Sequence, residues 1–128
     1  MKISLSEATS RLRGAARTAG SPDKPFVELL AAPGFSLELY RPVTVDLQTP
    51  HQLDELYFVA AGTSGFVLNA ERFDVTVGDV LFVPAHADHR FVDIGTGFAV
   101  WVVFIGSLDE VSAPAHDQPA ATDAHARN

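Results

Sequence analysis

Cysteine is missing from all 128 residues, which excludes disulfides, thiolate nucleophiles, cysteine-ligated zinc and iron–sulfur clusters. Basic residues are few. Nine Lys and Arg stand against sixteen Asp and Glu, for a formal net charge of −7. Such a chain lacks the basic face with which nucleic-acid binders meet phosphate, so no nucleic-acid partner is expected. Long apolar runs are missing as well. The longest, Phe98 to Ile105, falls far short of the roughly 20 residues that span a bilayer. The N-terminus also lacks the apolar stretch of about 7–15 residues found in a secretory signal. A cytoplasmic protein with no membrane partner is therefore expected. Gly-x-Ser-x-Gly elbows and Gly-rich phosphate or dinucleotide fingerprints do not occur, which removes serine-triad and nucleotide-loop chemistry from consideration.

The length suits one domain with its own core. Its basic residues are concentrated at the start, where Lys2, Arg11, Arg13, Arg17 and Lys24 face only Glu7 and Asp23; this is read as a solvated basic segment. Within it Glu7, Ala8, Leu12, Ala15 and Ala16 predict a short helix capped by Ser4 or Ser6 and weakened toward Gly14 or Gly20. The turn chemistry of Ser21-Pro22-Asp23-Lys24-Pro25 then closes an N-terminal arm and linker, residues 1–25. Residues 107–128 are rich in Ala, Pro, Asp, His and Gln and are expected to form a flexible tail, with His116 and His125 solvated.

From residue 26 to 106 the apolar period changes to two, the signature of strands with one face toward a core. Phe35, Leu37 and Leu39 alternate with Ser36, Glu38 and Tyr40. Val43, Val45 and Leu47 alternate with Thr44, Asp46 and Gln48, and Phe73, Val75 and Val77 with Asp74 and Thr76. Short apolar blocks at 56–61, 66–68, 80–83, 91–94 and 98–105 are separated by Gly-, Asn- and Pro-containing turns. Many short strands at regular spacing indicate an all-β sandwich or barrel, and there is no room for the crossover helices of a parallel sheet. Phe98 to Ile105 reads as buried on both faces, as in a central strand or one at a dimer interface.

The chemistry-bearing residues fall between Thr49 and Asp93. In an extended segment Thr49, His51, Leu53, Glu55 and Tyr57 share one face, and by the same parity so do His89, Phe91 and Asp93. If both faces turn inward, two imidazoles and a carboxylate meet, and a cation would offset the cost of burying Glu55. The bland alternatives are a surface His51 after Pro50, a solvated Asp54–Glu55 pair, and turn-capping roles for His86 and His89. Tyr57, Phe82, Phe91, Phe98 and Trp101 are read as core residues or as the lining of an apolar pocket.

Two segments carry a resemblance to the cupin superfamily, small jelly-roll β-barrels. Thr49-Pro50-His51, then three residues, Glu55, six residues and Gly62 is similar to the first cupin motif. Gly78, five residues, Pro84-Ala85-His86, two residues, His89, three residues and Asp93 is similar to the second. Thr49 stands where the first motif has its leading histidine, Val43 where it has glycine, His86 where the second has glycine, and Asp93 where it has asparagine. The resemblance implies a double-stranded β-helix (jelly-roll) barrel preceded by a short helix. It also implies His51, Glu55 and His89 as metal ligands, and Gly62, Gly78 and Pro84 as turn residues. The implied cofactor is a divalent ion, Fe(II) first, with Mn, Ni or Zn compatible. Three ligands leave open positions for a small-molecule substrate and dioxygen. A mononuclear oxygenase is the first expectation and an isomerase or lyase the second, with Glu55, His86 and Tyr57 as catalytic candidates. A non-catalytic ligand-binding or sensory barrel with a decayed metal site is the alternative, and a homodimer is expected.

Overall fold

A computed structural model describes residues 1–18, 25–43, 46 and 52–106. Helix α1 (Leu5–Thr18) precedes eight strands: β1 (Phe26–Ala32), β2 (Phe35–Tyr40), β3 (Asp54–Ala61), β4 (Ser64–Leu68), β5 (Glu71–Val75), β6 (Val80–Val83), β7 (His89–Val92) and β8 (Ala99–Ile105). They form two sheets, ordered β1-β2-β8-β3-β6 and β5-β4-β7, with every pairing antiparallel. This is the all-β architecture that the strand pattern predicted, in the jelly-roll form that the cupin resemblance implies, with the expected N-terminal helix.

Ser4 begins the helix: its Oγ accepts the backbone N–H of Glu7 at 3.0 Å, satisfying one of the four N–H groups a helix start leaves unbonded. Ala8, Leu12 and Ala16 recur every fourth residue and so fall on one face. All three are buried, and Ala8 and Leu12 pack with Leu29, Leu39 and Ala99 on the outer side of the larger sheet. Burying Leu12 contributes about 1.5–3 kcal/mol, enough to carry the helix past Gly14, where propensity alone would weaken it. Arg11 and Arg13 face solvent; Arg11 lies 3.9 Å from Glu7.

The helix changes how β2 is read. Its outer face, Leu37 and Leu39, packs under α1, so its inner face is Ser36, Glu38 and Tyr40, all buried. Polarity alternates along this strand, but the polar side chains are the ones that point into the barrel. Strand β8 is the central strand expected of its apolar run: Val100, Val102 and Phe104 face inward, Ala99 and Trp101 pack toward the helix, and Ile105 is exposed. Strand β5 departs from expectation. Only Val75 is buried while Phe73 and Val77 are exposed, because β5 is an edge strand of the smaller sheet.

Inside, the core unites Tyr40, Tyr57, Phe66, Phe91, Phe98 and Phe104 with Val59, Val83, Val100 and Val102. Asp46 is a buried carboxylate within this shell; it accepts the Tyr40 hydroxyl and the Phe91 N–H, the latter at 2.6 Å, and so ties β2 to β7. The alternation around it, Val43 to Gln48, falls mostly outside the described residues, as do Thr49, His51, Gly20, the turn at 21–24 and the tail 107–128. Among the described residues no helix is long and apolar enough to cross a membrane.

Candidate metal centre

Each sheet contributes one ligand candidate. Glu55, second residue of β3, lies between Phe104 of β8 and Val83 of β6. His89 opens β7 opposite Leu68 of β4. Between β6 and β7 the chain crosses from one sheet to the other in a turn held from both sides. Ala85 N–H donates to Asp54 Oδ1 at 2.8 Å, Asp88 N–H to Asn69 Oδ1 at 3.2 Å, and Asn69 N–H to the Asp88 carbonyl at 2.7 Å. Asp54 is thus an anchor for the turn, not half of a solvated pair with Glu55. By fixing the turn from the strand that bears Glu55, it sets where β7 starts and so where His89 enters the barrel.

The result is a pair of fully buried titratable side chains, with Glu55 Oε1 3.2 Å from His89 Nε2. The other ring nitrogen, Nδ1, lies 2.8 Å from the Ala87 carbonyl. A carbonyl oxygen only accepts, so Nδ1 carries a proton, and in the neutral tautomer the ring's lone pair lies at Nε2. A lone pair and a carboxylate oxygen repel at this separation. Two arrangements satisfy the pair: a second proton on Nε2, or a cation shared by Nε2 and Oε1. The donor set fits the second. Ligand atoms about 2.0–2.2 Å from one ion and at right angles to each other lie about 3 Å apart, close to the observed separation. An imidazole whose far nitrogen donates to a backbone carbonyl is also the usual arrangement of a metal-bound histidine.

Among the described residues no third His, Cys, Asp or Glu joins this pair; His51, the third expected ligand, lies outside them. Leu53, Tyr57 and Val83 are buried, Val83 directly across from Glu55, and the Tyr57 and His89 ring centroids lie 6.4 Å apart. Tyr57 also meets Phe66 and Phe91 edge-on, at 5.8 and 5.0 Å, so its ring is packed from more than one side.

Parity along β3 holds, with Leu53, Glu55, Tyr57 and Val59 all buried on one face. On β7 it holds for His89 and Phe91 and then fails. Asp93 follows the strand with φ 50° and turns outward to meet Arg72 at 2.9 Å. Hydrogen bonds from Arg72, first to Asp74 and then to Asp93, raise its guanidinium pKa above the ordinary value. His86 is exposed in the left-handed region at φ 70°, a conformation that suits the glycine it replaces. Of the aromatic set, Tyr57, Phe91 and Phe98 are core, Phe82 is half exposed on edge strand β6, and Trp101 lies on the helix side. Phe82 and Trp101 therefore do not line the interior.

Gly62 and Gly78 serve the turns that frame the site. Both have positive φ, and a Cβ on Gly62 would come within 2.7 Å of the Phe98 Cα, so no other residue fits there without moving the backbone at Gly97 and Phe98. Sequence reasoning missed the inward Ser36 and Glu38 and the anchoring roles of Asp46 and Asp54. Only the shared parity of Ser36, Glu38 and Tyr40 offered a signal for the first two.

Comparisons with known proteins bear on the family and the fold. The family model described as Cupin domain matches residues 37–105. An uncharacterised protein of Streptomyces coelicolor is 36% identical over 84 residues, 64% of this chain and 80% of that protein. Among solved structures, KdgF from Halomonas sp. aligns with TM-score 0.57 and 22% identity, over 66% of this chain and 80% of that one. Salicylate 1,2-dioxygenase from Pseudoaminobacter salicylatoxidans aligns with TM-score 0.67 and 15% identity, over 80% of this chain and 33% of the other. At these identities the two structures speak for the fold alone.

Proposed function

Given that this chain belongs to the cupin family, whose domain model matches residues 37–105, we propose that it is a small metal-binding cupin. In this reading Glu55, His89 and His51 hold one divalent ion beside which a small molecule reacts. The observation that carries the reading is the buried approach of Glu55 Oε1 to His89 Nε2 at 3.2 Å while Nδ1 is bonded to the Ala87 carbonyl. Bound there, Fe(II) would supply dioxygen activation, and Mn, Ni or Zn Lewis acidity. Two imidazoles and one carboxylate leave positions open for a substrate, which favours oxygenase chemistry over isomerase or lyase chemistry.

The chain's own residues have separate tasks. Glu55 and His89 bind; the Ala87 carbonyl keeps the imidazole in the tautomer that offers Nε2; Leu53, Val83 and Phe104 exclude water. Tyr57, packed beside His89, is placed to orient a ligand. His86, exposed at the turn, is placed to exchange protons with solvent in the isomerase or lyase version.

Metal analysis of tag-free protein tests the reading. Near one equivalent of a divalent ion is expected in the parent and little in Glu55→Ala or His51→Ala, and oxygen consumption by the Fe(II)-loaded protein separates oxygenase from Lewis-acid chemistry. A parent that takes up no ion overturns it. A second reading, a ligand-binding barrel with a decayed centre, is favoured by Thr49 in the place of a histidine. It requires that His51→Ala leave ligand affinity unchanged.

A further inference from the structure

The two sheets turn different faces to the outside. On the smaller sheet the outward positions form the rows Arg72, Val67, Arg90 and Asp74, Gly65, Val92, and charges keep that face wet. On the larger sheet the outward rows across β6, β3, β8 and β2 read Phe82, Leu56, Val103, Leu37 and then Val80, Phe58, Trp101, Leu39. None of these side chains is charged. Helix α1 covers the end that holds Leu37, Leu39 and Trp101 and leaves the rest. Phe58, Val80, Phe82 and Ile105 stay 37%, 56%, 52% and 40% exposed, and Leu56 and Val103 between them are half-buried. With about 150–250 Å² for a whole large side chain, the face offers about 400 Å² of accessible apolar surface. A monomer usually keeps a patch of that size for a partner.

Shape and charge narrow the choice of partner. Strand β6 is the edge of its sheet, but it is four residues long and bounded by Asp79 and Pro84, the kind of short, guarded edge that resists strand addition. The face, not the edge, is what has to be covered. A net charge of −7 sets the chain against an anionic bilayer, and no Lys or Arg stands on the outward side of β3, β6 or β8 to draw it there. A second copy meets neither obstacle. Two identical neutral faces related by a two-fold axis pack as sheets do in a sandwich, about 10 Å apart, and the like charges of the two chains stay outside the contact. A standard interface takes about 800 Å² from each partner, about 56–65% of it apolar, and about 400 Å² supplies most of that apolar part.

We propose that the outward face of β3, β6 and β8 is where two copies of this chain join, as an isologous dimer with Phe58, Val80 and Phe82 at its centre. The strand that carries Glu55 on its inner side is then backed by the partner's sheet. This contact is independent of whether a metal occupies the barrel.

Sedimentation velocity of the full-length protein from about 1 to 200 µM tests it, with a dissociation constant in the micromolar range or tighter expected. Phe82→Glu and Val80→Lys each place a charge at a half-exposed position, so each monomer keeps its fold, checked by an unchanged far-UV spectrum and cooperative urea unfolding. Both are expected to weaken the dimer about a hundredfold, the size of loss found at an interface centre; should one of them misfold, the other decides. Arg90→Glu, on the charged face of the smaller sheet, is expected to change the dissociation constant by less than about twofold. A parent that stays monomeric throughout this range overturns the proposal, whether the face then binds phosphatidylcholine vesicles or is freed for dimerisation by deleting residues 107–128. A dimer that survives both face substitutions overturns it as well, by placing the interface elsewhere.

Discussion

Asp46 and Glu55 are both buried carboxylates inside one barrel, and their surroundings differ in kind. Asp46 accepts from a tyrosine hydroxyl and a backbone N–H, donors contributed by β2 and β7, and so it links the two sheets. Glu55 faces an imidazole nitrogen of a ring whose Nδ1–H donates to the Ala87 carbonyl. Burial of an acid is therefore no mark of a site. What distinguishes the two is the partner: Asp46 accepts from two donors that complete structural bonds, whereas Glu55 faces an imidazole nitrogen, a pairing that a proton on Nε2 or a shared cation would satisfy.

Three experiments break or sharpen that contrast. The largest effect is expected at Asp46. Replacing it with alanine strands the Tyr40 hydroxyl and the Phe91 N–H in the core and should cost about 3–5 kcal/mol, read as a lower urea midpoint. Glu55→Gln should behave differently, leaving the metal-free midpoint nearly where it was. Adding zinc to a hundred times its Kd should stabilise the parent by about 2.7 kcal/mol and Glu55→Gln hardly at all. A metal-free Glu55→Gln that unfolds as readily as Asp46→Ala would collapse the distinction. The smallest effect concerns the turn between the two sheets. His86 pays for its positive φ in backbone strain, so His86→Gly should raise stability by about 1 kcal/mol. If turnover falls while stability rises, His86 has a chemical task; if turnover is unchanged, the residue is a turn element only.

Much of the site was legible because strand parity is a local property. Leu53, Glu55 and Tyr57 had to share a face once β3 formed, as did His89 and Phe91. Parity stopped being a guide where the strand stopped, and Asp93, one residue beyond β7, adopts a left-handed conformation and leaves the barrel. Along β2 the same alternation was visible, but its direction was not. Polar residues on a sheet are expected to face water, and the usual inference puts Leu37 and Leu39 toward the barrel. Helix α1 covers that apolar face from outside and turns Ser36 and Glu38 inward. Asp46 was hidden for another reason: its partner Phe91 is distant in the chain, and no periodicity links them. The anchoring role of Asp54 was not visible because a pair of adjacent acids looks solvated until the Ala85 N–H is placed beside one of them.

The order of residues alone determined an antiparallel β protein without thiol chemistry, with a helix before it and with Glu55 and His89 on strand faces, since strand period and side-chain type are fixed residue by residue. Only the folded chain decided that these two faces meet at 3.2 Å, which nitrogen of His89 is offered, and which side of β2 lines the interior. Those outcomes depend on how two sheets and a helix stack, and burial forces that choice among segments far apart in sequence.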